Sequence, residues 1–479
     1  MAGDTSQAAD TSQAATMRAG QRRAFFRRGV TFAVMSGVCY GLYTGFLTLA
    51  ETQGPWGAWF GDGAGLSAFT VTFALAALAA GLNDLWSGIW SVVSCAAHGQ
   101  LGDLWKTAKT RPGRVMMLCA VVGGPFATVC YVVGLNSATA AGAPGIIVPI
   151  AALNCAIGAV LGRVLYKQEL APHTVAGIVV CLAAGALIGG ASFASIGPGA
   201  LVGCLFAFLA AFGWGFEGCV AGFGTVLIDY RIGIAIRQVT AGMLELVVVF
   251  PVLAAIGDGW GSVPALLGAA VGDPSVLIFA VSGLFAMPAY SFWYKGNSMC
   301  GTALGMACNG MYAFWGPFFI WVILGVLNIG GMSASYPPLS ATQWVGAVIM
   351  VLGIFVIAVS PRSWFGRGGD NDVAGEGRPA DARAGKAPEP DAALPLYYSI
   401  LLHFKGGWAD DATGVVEALR PAYGDSRQLS AEGVGEALAT AKENGLLDEA
   451  GCDLDGGGRL RVWYRLNDYG REMVGRYLG

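Results

Sequence analysis

Residues 212–224 read FGWGFEGCVAGFG, with Glu217 the one carboxylate among glycines, aromatics and small apolar residues. The ten positions before it carry no charge. An ionisable group inside an apolar helix is costly, and those that persist usually face a cavity, a pathway or a partner. A carboxyl in that setting can exchange a proton or meet the amine of a cationic solute. The bland alternative is a protonated, hydrogen-bonded acid that steadies helix packing. Glu245 in GMLELVVV raises the same question, and so does Asp84 in GLNDLW. For Asp84 an interfacial position would be explanation enough.

Polar and aromatic residues that suit a metabolite site surround these acids. Asn154 and Asn309 fall at corresponding depths of two apolar runs, and Tyr312 and Trp315 follow Asn309 on one helical face. Tyr40, Tyr43, Trp214 and Tyr290 complete an aromatic set. Each has a structural alternative, since Asn can join helices and aromatics fill cores and membrane interfaces. Arg163, Arg231, Arg237 and Lys295 are expected at the cytoplasmic ends of helices, where long basic side chains reach water. With no deep cation to meet a phosphate, a neutral or cationic solute is favoured. P-loop, nucleophile elbow and metal-ligand spacings are missing, so neither an enzyme nor a cofactor is expected. Eleven scattered cysteines without a C-x-x-C read as small reduced hydrophobes.

The elements that must position these residues are membrane helices. The 479 residues are 55 % hydrophobic and 12 % charged, with a mean hydropathy of +0.58. Ordinary soluble domains hold about 25 % charged residues, so most of this chain has no water-facing surface to offer. Its 73 glycines suit helices that approach closely in a lipid bilayer. About 20 apolar residues cross the hydrocarbon core, and ten stretches qualify: 30–50, 67–90, 115–135, 143–164, 173–191, 199–220, 238–256, 275–294, 302–326 and 343–360. The second is ambiguous, because 67–97 is apolar for too long and Asn83-Asp84 interrupts it. A tilted span, or a span plus an interfacial helix, would fit. Five arginines precede the first span, and Lys and Arg recur only in alternate loops. By the positive-inside rule both termini lie in the cytoplasm of a cell-membrane protein.

The two halves echo each other. YGLYTG at 40–45 matches WGFEG at 214–218, and GGPFATVCYVVGLNS at 123–137 matches GLFAMPAYSFWYKGNS at 283–298. VAGIVVCLAAG at 175–185 matches WVGAVIMVLG at 344–353. Each copy has five spans, an odd number, so the second must enter the membrane inverted, as in many transporters. Together with YVVGLNSATAAGAPGIIVPIAALNCAIGAVLGRVLYKQEL at 131–170, this order resembles the drug/metabolite transporter superfamily in its EamA-like branch. Pro149 and Lys167-Gln-Glu169 belong to the shared pattern, which covers about 28–362. The resemblance implies ten helices and alternating-access movement of a small metabolite.

The expected fold is therefore an all-α polytopic membrane protein with an appended soluble unit. Residues 1–28 form a basic cytoplasmic segment, 29–191 the first five-helix repeat, 192–362 the second and 363–395 a flexible linker poor in aromatics. Residues 396–479 read as a small α+β winged-helix-like domain: three helices, a hairpin with a Gly-rich tip, and a last helix capped by Asp468. This domain has nine Lys and Arg against thirteen Asp and Glu, a net of −4, which argues against nucleic acid as a partner. Regulation, or self-association as a homodimer, is left to it. The functional expectation is a secondary transporter of a small neutral or cationic metabolite, coupled to a proton or another ion. The competing reading is a membrane-embedded ligand sensor that signals through the C-terminal domain.

Overall fold

The computed structural model describes residues 2–140, 147–151, 153–166, 170–188, 198–331, 336–358, 378–382, 393–424 and 428–478. Lys167, Gln168 and Glu169, and most of the 363–395 linker, lie outside the described residues. The chain opens with a long helix, α1 (Ala2–Glu51), and a short one, α2 (Gly54–Gly61). A π-helical turn at Thr70–Ala74 leads into α3 (Leu75–Ala97), and α4 (Leu101–Ala108) follows. Then come α5 (Arg111–Val121), α6 (Ala127–Ala140), α7 (Ile147–Ala151), α8 (Asn154–Tyr166) and α9 (Pro172–Ile188). The second half holds α10 (Pro198–Leu227), α11 (Tyr230–Leu244), α12 (Phe250–Asp258), α13 (Ser262–Gly272) and α14 (Ser275–Cys300). It closes with α15 (Thr302–Asn309), α16 (Tyr312–Ile320) and α17 (Ala341–Ala358).

Six helical stretches among the described residues are long and apolar enough to cross a membrane, as a polytopic helical membrane protein requires. The ambiguous 67–97 region is one helical run with Asn83 and Asp84 buried against protein in its middle. Large apolar side chains face outward along single stripes, for example Leu201, Leu205, Phe208 and Phe212 on α10, or Val348, Leu352 and Phe355 on α17. Spacings of three and four residues put each stripe on one helix face, and lipid is the solvent that accepts it.

Packing follows the small residues. α1 runs along α14 and also touches α15 and α16; α10 runs along α6 and also touches α7 and α8. α3 faces α11, and α9 faces α17. The α9–α17 approach is close enough that a Cβ on Gly177 would stand 2.7 Å from the Gly353 carbonyl oxygen, so only glycine fits there. Three helices bend through π-helical turns, at Val122–Phe126, Glu245–Val249 and Trp321–Val326. In the first, Gly124 departs from helical geometry beside Pro125, which has no N–H to continue the ladder.

The C-terminal unit comprises α18 (Leu396–His403), α19 (Ala412–Tyr423), α20 (Ala431–Glu443), β1 (Leu447–Leu454), β2 (Leu460–Leu466) and α21 (Asp468–Tyr477). β1 and β2 pair antiparallel, Leu447 opposite Leu466, and a single bridge joins Asp410 to Tyr464 on the far side of β2. Leu401, Phe404, Val415, Leu438 and Leu466 are among its core residues. The cap of α21 is Asn467, whose side chain accepts from the Gly470 N–H, and not the expected Asp468, which is the first helical residue. Within the segment read as a linker, residues 378–382 lie on this unit: Ala409 N–H donates to the Asp381 carbonyl, and Arg465 reaches the Asp381 carboxylate at 3.2 Å.

Candidate functional site

The Asp229 side chain accepts from the Arg231 N–H and caps α11, so the helix starts at Tyr230, well before the apolar stretch that begins at 238. At 1.5 Å per residue, Arg237 sits about 10 Å in from that start. The expectation that Arg237 lies at a wet helix end is therefore overturned: it is 2 % exposed. A buried guanidinium must find acceptors for all its donors. Arg237 Nε donates to Glu217 Oε1 at 2.7 Å and Nη2 to Oε2 at 3.3 Å, a forked pair. Its Nη1 donates to Asp84 Oδ2 at 2.9 Å and to the Gln238 side-chain oxygen.

A second layer fixes these partners. Tyr294 OH donates to Glu217 Oε1 at 3.3 Å. Asn83 Nδ2 reaches Asp84 Oδ1 at 3.4 Å, and Ser282 Oγ donates to Asn83 Oδ1 at 2.6 Å. Gln238 Nε2 donates to Ser87 Oγ at 2.7 Å. α3, α10, α11 and α14 thus meet on one network. Gly123 makes room for it, because a Cβ there would run into the Glu217 carboxylate. Glu217 itself is 1 % exposed, so the cluster is closed to solvent.

Tyrosines cover one side. The Arg237 guanidinium lies over the Tyr290 ring at 4.3 Å, a cation–π contact. Tyr290 is 6.0 Å from Tyr40 and 6.5 Å from Tyr43, ring centre to ring centre, and Tyr40 is 4.7 Å from Tyr312. Glu245, also 2 % exposed, leaves Oε2 without a hydrogen-bond partner among the described residues. It borders a gap of about 10 Å³ with Phe73, Pro125 and Thr128, room for about one water. The arrangement sets three carboxyls, Glu217, Asp84 and Glu245, against one guanidinium. That excess of acid suits a proton or a cation.

Of the sequence-predicted residues, Glu217, Asp84, Tyr40, Tyr43, Tyr290 and Tyr312 come together, with Glu245 beside them. The others take different places. Trp214 pairs with Tyr131, with ring centres 5.4 Å apart. Asn309 Nδ2 donates to Ser36 Oγ at 2.8 Å, and Ser36 Oγ donates to the Ala289 carbonyl, so this Asn joins α15, α1 and α14. Asn154 packs its backbone carbonyl against Gly215 and keeps a buried Oδ1 without a partner among the described residues. Gly310 and Met311 break the helix after Asn309, so the expected single face is divided. Tyr312 turns to Tyr40, while Trp315 stacks with Phe319 and backs onto Gly41. Arg237, Tyr294, Gln238, Asn83 and Ser282 were missed from sequence.

Lys295, also expected at a wet helix end, is 7 % exposed and pairs with Glu436 of the C-terminal unit at 2.6 Å. Among the described residues no group of three or more His, Cys, Asp and Glu side chains could hold a metal ion.

No family model matches the chain, and no curated protein matches it. Among solved structures the chain is similar to one described as "Crystal structure of protein", at 18 % identity and a TM-score of 0.45, over 68 % of this chain and 95 % of that one.

Proposed function

We propose that the chain is a secondary membrane transporter that moves a small neutral or cationic metabolite by alternating access, driven by an ion gradient. The observation that carries this reading is the closed cluster of Glu217, Asp84 and Arg237 beneath the tyrosines, built from helices of both sequence halves. A guanidinium shared between two carboxylates can let go of one when that carboxylate takes a proton or a cationic solute. Helices that the pair held together are then free to rearrange, which is the step alternating access needs.

The packing supports ten crossings in two inverted repeats. Exchanging first-half for second-half helices turns the α1–α14 contact into α10–α6, and the α1 contacts with α15 and α16 into those of α10 with α7 and α8. The α3–α11 and α9–α17 pairs map onto themselves. That relation is what a drug/metabolite transporter of the EamA-like kind would have, with the basic helix ends and both termini cytoplasmic. Helix–bridge–helix–helix–hairpin–helix is the order of a winged helix, and we read residues 396–478 as one. Its third helix, α20, the element that would enter a DNA groove, carries Glu432, Glu436 and Glu443 and lies against the membrane unit. We therefore assign it regulation instead of nucleic-acid binding.

The sensor reading draws on the same docking, since the soluble unit grips the helix that carries Tyr290 and Tyr294. Uptake of radiolabelled amines and neutral metabolites into proteoliposomes, compared with the chain truncated at residue 365, separates the two. Transport that survives truncation supports a transporter; binding without flux supports a sensor.

A further inference from the structure

The C-terminal unit meets the membrane unit through polar straps, beside apolar packing of Ala14 and Leu227 in its core. Glu436 on α20 pairs with Lys295 at 2.6 Å and with Arg28 at 3.0 Å. The Lys295 ammonium sits between the Phe32 and Tyr230 rings, 4.7 Å from each. Arg18 Nε donates to Glu449 at 2.8 Å, the Leu396 N–H to Asp103 at 3.0 Å, and Gln428 to the His98 carbonyl at 3.0 Å. All of these but the Arg18–Glu449 strap border a cleft of about 630 Å³, with Tyr230, Tyr397 and Gln428 in its wall. On this side the contact is polar and incompletely filled, the kind domains make and release.

Its position gives it leverage. Lys295 follows Tyr294, the donor to Glu217, and stands five residues after Tyr290, the ring under Arg237. One stretch of α14 therefore touches the soluble unit at one end and the buried cluster at the other. Arg231, about 9 Å along α11 from Arg237 at 1.5 Å per residue, lines the same cleft.

We propose that the C-terminal domain is an autoinhibitory clamp: Glu436, held by Lys295 and Arg28, fixes α14 in the setting that keeps the Glu217–Arg237 cluster closed. The clamp rests on the transport reading for its purpose, but its mechanics can be tested without any solute. Undocking frees the last turns of α14, loosens Tyr290 and Tyr294 from the pair, and opens the cluster toward the face on which the domain sits.

The test is hydrogen exchange on the full chain in nanodiscs, comparing wild type with Glu436→Lys, Glu436→Gln and the swap Lys295→Glu with Glu436→Lys. A lost charge-assisted contact corresponds to roughly ten-fold faster opening or more. The clamp predicts at least that increase for Glu436→Lys over residues 285–300 and 230–237, a smaller one for Glu436→Gln, and return toward wild type in the swap. Faster exchange confined to α20 would overturn it, as would unchanged exchange throughout or failure of the swap to restore. Thermal melting of the full chain in the same nanodiscs checks that Glu436→Lys still folds. Failure of the uptake screen would count against transport and leave this exchange result standing by itself.

Discussion

Arg237 and Glu217 meet side by side, Nε 2.7 Å from Oε1 and Nη2 3.3 Å from Oε2, with Asp84 taking the remaining arm at 2.9 Å. Neither half of the chain holds this arrangement alone: Asp84 comes from the first and the other two from the second. Removing Arg237 strands two buried carboxylates, and breaking a buried pair by deleting one partner costs about 3–5 kcal/mol. Arg237→Met should lose that much in denaturant unfolding of the detergent-solubilised protein. Arg237→Lys should recover only part of it, because an ammonium cannot fork onto one carboxylate while reaching a second.

Gly123 tests the space around the pair. Gly123→Ala puts a methyl group where the Glu217 carboxylate lies, and overpacking of this kind costs about 1–3 kcal/mol. The expected outcome is a lower melting temperature together with lost substrate binding. Substitution of Gly268, which has open space around its Cβ position, should leave both unchanged.

Asn309 offers the opposite case. Its hydrogen bond to Ser36 joins helices without touching the acidic cluster. Asn309→Ala should cost about 1 kcal/mol of stability while leaving the pH profile of uptake where it was. A shifted profile would place Asn309 in the transport path.

Docking of the soluble unit should depend on pH in a set direction. Burial works to raise the Glu436 carboxyl, but the Lys295 hydrogen bond and the charges of Lys295 and Arg28 outweigh it, and the group ends below its ordinary 4.5. A carboxyl lowered by docking strengthens docking fully above 4.5 and loses that contribution as pH falls through its docked value. The protection of residues 431–443, taken as exchange relative to the intrinsic rate at each pH, should therefore be high and flat above about pH 5 and fall in more acid solution. Because Arg28 is half exposed, added salt should weaken the contact too.

Much of this site was legible because charge is conspicuous in apolar sequence. Glu217 and Asp84 stood out for that reason, and the tyrosines followed from the repeat. Arg237 was hidden by the window that found the spans. Its helix begins at Tyr230, but Arg231 and Arg237 bracket the apolar residues 232–236, and the second arginine pushed the span start to 238. The signal available was Asp229, a good N-cap residue eight positions earlier. The break after Asn309 was likewise invisible to periodicity, since Gly310 can continue a helix or end one. Docking of α20 on Lys295 is a tertiary match between distant charges, and no local pattern announces it.

On the proposed transport cycle, the Glu217 carboxylate changes its charge or its partner. The direct measurement is pH-gradient-driven accumulation in proteoliposomes by wild type and Glu217→Gln. Gln keeps the shape and can still accept from Arg237 while Asp84 supplies the counter-charge. The expected outcome is a folded variant in which gradient-driven accumulation is abolished. Wild-type accumulation with an unchanged pH dependence would contradict it and leave Glu217 as a strut between helices.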